Sequence, residues 1–260
     1  MNLKIVLKSI FDFYLKASFH VAFAIVAFAN IGLRELQIVP QKSFYPFVFV
    51  AVLVGYNFLK HFHLLKNDFT FLNKHRLLWI VTVNAFISGV FFFWEFTWIL
   101  QFCIICFAFL TLGYLYFRKF ALLKIFYVSG VVVLFTTCVP LVGQNLFSAD
   151  YVLQAFGWFL MISAWMIPFE IIDGPKDDLP HKTIPQKIGL KKAKWLGYFF
   201  LLVFILLQFC FYDLDVTIVF ILLVSVLAIY FAQPERSFYY TAFWVEAIPI
   251  LWWLIERLRD

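Results

Sequence analysis

The sequence predicts an all-α integral membrane protein, and two properties of the chain lead to that prediction. Hydrophobic residues make up 64% of the 260 residues, charged residues make up 14%, and the mean hydropathy is +0.91. A soluble domain of this composition would expose large apolar surfaces and aggregate. The apolar runs are continuous rather than alternating, which favours helices over the strands of a membrane barrel. We therefore expect a single transmembrane domain over residues 1–260.

Nine apolar segments come close to the roughly 20 residues that a helix needs to cross a bilayer core. In chain order these segments are Phe13–Leu33, Phe44–Leu65, Leu77–Phe93, Phe96–Phe117, Leu122–Val142, Tyr151–Ile172, Ala193–Tyr212, Val216–Ala232 and Tyr239–Leu258. The third and the eighth are short. No small-residue cleavage site follows the first apolar stretch, so we expect a retained span there rather than a signal peptide.

The distribution of basic residues predicts the orientation of these spans. With the N-terminus in the cytoplasm, all but four of the 21 basic residues fall in cytoplasmic segments; the four are Arg34, Lys42, Arg257 and Arg259. This asymmetry favours nine spans and a cytoplasmic N-terminus, and we expect a bacterial inner membrane. Topology then explains the net charge of +6 without a nucleic-acid partner. Two long loops, 60–76 and 173–192, follow the second and sixth spans on the cytoplasmic side, and long ordered loops often carry function.

Acidic residues gather at the end of the sixth predicted span, although the chain has only 15 of them. Glu170, Asp173 and Asp177 follow the spacing i, i+3, i+7, which places them on one face of a helix. Pro175 would strain that helix, so we expect Asp177 and Asp178 just beyond its end. Carboxylates so close together repel unless a cation joins them, and such a cluster of oxygen ligands suits Mg²⁺. The alternative is a solvated loop whose acids pair with neighbouring lysines.

The segment after these acids resembles a known motif. Its sequence is Lys182-Thr183-Ile184-Pro185-Gln186-Lys187-Ile188-Gly189. It resembles the tail of the second aspartate-rich motif of the UbiA superfamily of intramembrane prenyltransferases, in which spaced acids precede Lys-Thr-(Leu or Ile)-Pro-x-x-x-Gly. That family has nine helices, with its two motif loops after the second and the sixth. Lys124, at the start of the fifth predicted span, also resembles a lysine that follows the fourth helix of the family.

The resemblance implies a UbiA-like helical bundle and a reaction. Such enzymes move a prenyl group from an isoprenoid diphosphate to an aromatic or other lipophilic acceptor within membrane lipid. The resemblance implies Mg²⁺ as the cofactor, with Asp173 and Asp177 as catalytic residues. The expected metal ligands are Glu170, Asp173, Asp177 and Asp178. The expected substrate-binding residues are Asn57, Lys60, His61, Arg76, Lys124 and Lys182.

The first aspartate-rich motif is where this chain departs from the family. The family pattern is Asn-x-x-x-Asp-x-x-x-Asp; Asn57 is present, but His61 and Leu65 occupy the two aspartate positions. Asp68 is the only acid in this loop, and it is out of register. The departure leaves a second interpretation open, in which the protein is a catalytically degenerate member of the same fold that binds a lipid or a partner. Glu246 lies inside the last predicted span, and an intramembrane acid is a further candidate for function.

Overall fold

The computed structural model describes residues 3–67, 75–142, 148–173, 183–212 and 214–259, with the side chains of 62–67 and 121–122 excepted. The described chain is helical throughout and contains no strand in those ranges. The helices are α1 Leu3–Lys16, α2 Phe19–Glu35, α3 Phe44–Asn67, α4 Arg76–Trp94, α5 Trp98–Phe117, α6 Ala121–Val133, α7 Val139–Leu141, α8 Ala149–Ile172, α9 Ile184–Ile188, α10 Leu190–Phe211, α11 Val216–Phe231 and α12 Ile248–Arg259. Two π-helical segments, Leu134–Cys138 and Tyr240–Val245, lie between α6 and α7 and before α12.

The lengths of the helices confirm the all-helical membrane class that the composition predicts. Within the described ranges, 6 helical stretches are long and apolar enough to cross a membrane, and the bent pair α1–α2 would make 7. The apolar helix α11 is shorter, at 16 residues. The number of nine spans therefore stays a prediction, as do the UbiA-like arrangement and the sidedness.

The first predicted span differs most from the structure. Two helices, bent by 54° relative to each other, replace the single helix expected over Phe13–Leu33. The break falls at Ser18, whose φ of 65° lies in the left-handed region that costs a non-glycine residue about 1–3 kcal/mol. Ser18 is 1% exposed and donates a hydrogen bond to Asn57 Oδ1 at 2.6 Å, so the contact with α3 fixes the bend.

Helix α8 is the centre of the bundle, and it packs against α6, α10 and α11. Trp158, Met161 and Ile167 on this helix are 0% exposed. Gly197 of α10 permits the close approach, because a Cβ there would lie 3.2 Å from Ile167 Cγ1 and 2.9 Å from Ile229 Cδ1. A helix of 24 residues is about 36 Å long, so the two ends of α8 lie at opposite ends of the bundle.

Candidate functional site

The C-terminal end of α8 carries two of the predicted acids, and the first is already paired. Glu170 is 1% exposed, and its Oε1 lies 2.7 Å from Lys124 Nζ, which reaches it from α6. A carboxylate buried among apolar helices needs such a cation, because an unpaired charge there is very costly. Lys124 therefore neutralises Glu170 inside the protein, before any ligand is considered. Glu170 Oε2 has no hydrogen-bond partner among the described residues.

Asp173 ends α8, where it meets charged groups from two other parts of the chain. Lys60 near the end of α3 and Glu246 before α12 both lie within electrostatic reach of Asp173 and of each other. Lys60 Nζ also lies 5.8 Å from the centroid of the Phe238 ring. We name the group Lys60, Lys124, Glu170, Asp173 and Glu246 the motif-end site. It contains residues near the ends of α3 and α8, the two helices to which the resemblance assigns the aspartate-rich motifs, and the interaction between Lys60 and Asp173 is electrostatic.

Helix α3 presents two different faces at this end, because residues four apart lie on the same side of a helix. Tyr56 and Lys60 form the face toward the site, since each is within electrostatic reach of Asp173 and Glu246. Tyr56 is 39% exposed. Asn57 and His61 form the other face, which contacts Thr82 and Trp79 of α4.

The Asn57 side chain is fully used by the protein. Its amide donates to the carbonyl oxygen of Ala17 at 3.2 Å and to Thr82 Oγ1 at 3.0 Å, while Oδ1 accepts from Ser18. Thr82 in turn donates to the carbonyl oxygen of Leu78 at 2.9 Å. Asn57 is 0% exposed, so a ligand reaches this amide only after the network opens. The structure thus places Asn57 at the α1–α2 bend, and its predicted role in substrate binding stays a prediction.

Two polar residues that were not predicted from the sequence, Tyr14 and His20, lie in the region of Glu246. His20 of α2 is 4% exposed and donates from Nε2 to the carbonyl oxygen of Phe243 at 3.0 Å. Its Nδ1 therefore accepts from the Tyr14 hydroxyl, 2.9 Å away, and Tyr14 is within electrostatic reach of Glu246. Phe243 belongs to the π-helical segment Tyr240–Val245, and such segments are frequent at functional sites.

Residues 183–189, which resemble the tail of the family motif, also have a structural role. The backbone N–H of Thr183 donates to Gln186 Oε1 at 2.9 Å, as in a helix N-terminal capping box. Ile184 is 2% exposed and anchors α9 in the core. Gly189 has a φ of +86°, a conformation that favours glycine, and it separates α9 from α10.

Several predicted site residues fall elsewhere. Asp177, Asp178 and Lys182 lie outside the described residues, as do Asp68 and His181. Arg76 starts α4 as an exposed residue, and no contact with the motif-end site is found for it in the described part of the chain. In those same ranges no group of three or more His, Cys, Asp or Glu side chains is placed to hold a metal ion. The described part of the site therefore does not by itself fit the Mg²⁺ that the resemblance implies.

Sequence patterns point to two of the residues in this region, Tyr56 and Glu246. Tyr56 has the four-residue spacing from Lys60 that places both on one face, and Glu246 is a lone acid in an apolar segment. No sequence signal points to His20 and Tyr14, because their contact with the Glu246 region depends on the bend at Ser18.

The fold and the site together define a helical membrane protein with a polar, ion-paired site at one end of its bundle. No protein-family model, no curated protein and no solved structure matches the chain.

Proposed function

We propose that the protein is a membrane transferase that moves a prenyl group from an isoprenoid diphosphate to a lipophilic acceptor. One observation supports this proposal above all others. The ends of α3 and α8, which the resemblance identifies as the two motif-bearing helices, carry Lys60 and Asp173, two opposite charges close enough to interact electrostatically. A solvated loop with acids paired at random does not require that convergence.

The chemistry assigns different tasks to the two lysines of the site. Lys60 is exposed toward the site and provides an ammonium group that attracts a diphosphate, since lysine binds phosphate as a point charge. Lys124 is already paired with Glu170, so we assign it a positioning role. The bond between the prenyl carbon and the diphosphate oxygen breaks, diphosphate leaves with the electron pair, and the allylic cation alkylates the acceptor, which then loses a proton. The apolar walls of the bundle exclude water from that cation.

The magnesium proposal rests on the acidic run rather than on the described geometry. Glu170, Asp173, Asp177 and Asp178 remain the proposed ligands, yet two of them lie outside the described residues and Glu170 is paired with Lys124. A bound Mg²⁺ would neutralise charge on the leaving diphosphate.

A second function, binding of a lipid or a protein partner without catalysis, is favoured by two observations. Asn57 is fully hydrogen-bonded inside the protein, and the predicted aspartate position at His61 faces α4 rather than Asp173. Both observations concern the first motif, which is also where the sequence departs from the family.

Release of diphosphate distinguishes the two functions. The purified protein is incubated with Mg²⁺, radiolabelled prenyl diphosphates of several lengths and lipophilic acceptors. We expect release above that of the Asp173→Ala, Asp177→Ala double variant, and we expect Lys60→Met to reduce it by at least about tenfold. Lys119→Met is the matched control, because Lys119 is exposed and lies over the Tyr116 ring. Release no greater than that of the double variant, for every length and acceptor, would exclude the enzyme and leave the binding function.

A further inference from the structure

A second polar region lies at the opposite end of α8, outside the proposed site. Here the end of α2, the start of α8 and the ends of α10 and α12 line a half-open cavity of about 390 Å³. We call it the distal cavity, and its polar lining includes Glu35, Asp150, Gln154, Gln208, Asp215 and Glu256. This volume lies in the range of small-molecule sites, roughly 300–1,000 Å³, and far exceeds the roughly 30 Å³ of one water.

The distal cavity has an excess of negative charge. Four of the residues that line it are acidic, and no lining residue is Lys or Arg. Asp215 is paired with Arg259, but no salt bridge joins Glu35, Asp150 or Glu256 to a cation of the described chain. Arg34 lines only a smaller, adjoining cavity of about 190 Å³, which shares Glu35 and Glu256 as part of its wall.

A buried glutamine leaves hydrogen-bonding capacity open at this cavity. Gln154 is 6% exposed; its Nε2 donates to Glu35, while its Oε1 has no partner among the described residues. Gln208 is 3% exposed and also lines the cavity. A buried polar group without a partner costs about 1–3 kcal/mol, so a hydrogen-bond donor placed beside Gln154 Oε1 would be favourable.

The lining determines the chemistry of the occupant. Carboxylates and amide oxygens accept hydrogen bonds, so the occupant must donate them and should carry positive charge. A directly held metal ion is disfavoured, because the described residues contain no group of three His, Cys, Asp or Glu side chains suitably placed. A primary ammonium group has three donors and one positive charge, and it fits both requirements.

We propose that the distal cavity binds a small organic cation through its primary ammonium group. The ammonium lies between Glu35 and Glu256 and donates hydrogen bonds to their carboxylates and to Gln154 Oε1. A soluble amine and the headgroup of an aminophospholipid share this chemistry. The site is independent of the transferase proposed above, since it shares no residue with the motif-end site.

Binding of ethanolamine and of choline to the purified protein tests the proposal. Choline has the same charge but no N–H donor, so we expect ethanolamine to stabilise the protein against thermal unfolding and choline to do so at least about tenfold more weakly. Glu256→Gln and Gln154→Leu should each raise the apparent dissociation constant for ethanolamine by on the order of tenfold. Glu95→Gln is the matched control, because Glu95 is exposed and accepts from Ser43 rather than lining the cavity.

A second arm separates the two sources of the amine. The same proteins are placed in nanodiscs of phosphatidylethanolamine or phosphatidylcholine, and their melting temperatures are compared. Stabilisation by phosphatidylethanolamine alone, lost in Glu256→Gln, identifies the headgroup as the ligand. Equal effects of ethanolamine and choline, equal losses in Glu256→Gln and Glu95→Gln, or no binding in either arm would overturn the proposal. If Glu256→Gln does not fold, Gln154→Leu decides the same question.

Discussion

The two ends of α8 differ in how the protein satisfies its own polar groups. At the motif-end site, Glu170 is paired with Lys124, and Asp173 has Lys60 within electrostatic reach. At the distal cavity, no salt bridge joins Glu35, Asp150 or Glu256 to a cation of the described chain, and Gln154 Oε1 has no hydrogen-bond partner there. The acids of the motif end have lysines close by, whereas three of the four acids at the distal cavity are in no salt bridge with a described residue.

This difference indicates which kind of ligand each end of α8 can bind. At the motif end the exposed Lys60 provides ammonium donors, which an anion such as diphosphate can accept. A cavity of acceptors gains from a cation that carries donors. It also shows that an acidic residue in a cluster need not bind a ligand, because Lys124 already neutralises the buried Glu170 carboxylate.

Removing the cation that pairs with Glu170 should have the largest effect on stability. Lys124→Met leaves the buried Glu170 carboxylate without its cation, and removing one partner of a buried pair costs about 3–5 kcal/mol. We expect this loss in the free energy of unfolding measured by SDS titration in mixed micelles.

The double variant Lys124→Met, Glu170→Met is the decisive control for that prediction. Because it removes both charges together, it should recover most of the stability that the single variant loses. Lys119→Met should be close to neutral. A single variant as stable as the wild type would mean that Glu170 is not paired with Lys124 in the folded protein.

An intermediate effect is expected where α3 fixes the bend between α1 and α2. Asn57→Ala removes the partner of Ser18 and Thr82 and should destabilise the protein by about 1–3 kcal/mol. Asn84→Ala is the matched control, since Asn84 is exposed and donates only to the carbonyl oxygen of Ile80 in its own helix. If diphosphate release survives Asn57→Ala in the protein that remains folded, Asn57 is structural; loss of release at unchanged stability would restore its predicted role in substrate binding.

The smallest effect is expected at the distal end and depends on pH. Arg259 donates a hydrogen bond to Asp215 and holds the pKa of that carboxyl below its usual value of about 3.9. A carboxyl whose pKa falls on folding stabilises the folded state above its unfolded pKa, and this contribution is lost as the pH drops through the folded pKa. Asp215→Asn should therefore be less stable than the wild type by under about 1 kcal/mol at pH 7, because the pair is partly exposed. The gap should narrow as the pH falls below about 4, and a gap of equal size at pH 7 and pH 3 would contradict the assignment.

The sequence was sufficient for the helical class, but not for the pairing of Glu170 with Lys124 or for the faces of α3. Apolar runs of about 20 residues determine the class directly. The break at Ser18 was not predictable, because the left-handed conformation of a serine depends on Asn57, 39 residues away. Asn57 and Lys60 were expected in one site because they are near in sequence. They lie on different faces of α3, however, so Asn57 contacts Thr82 of α4 while Lys60 lies over the Phe238 ring. The distal cavity has no sequence motif, because its acids come from four separate helices and connections.

Diphosphate release compared between one variant from each end tests the central claim most directly. Lys60→Met and Glu256→Gln are assayed side by side with the wild type, using the best prenyl diphosphate and Mg²⁺, with ethanolamine binding measured on the same preparations. We predict that Lys60→Met loses at least about tenfold in release and keeps ethanolamine binding, while Glu256→Gln keeps release and loses binding. Equal loss of both properties in both variants would contradict the account of two separate sites of opposite charge preference.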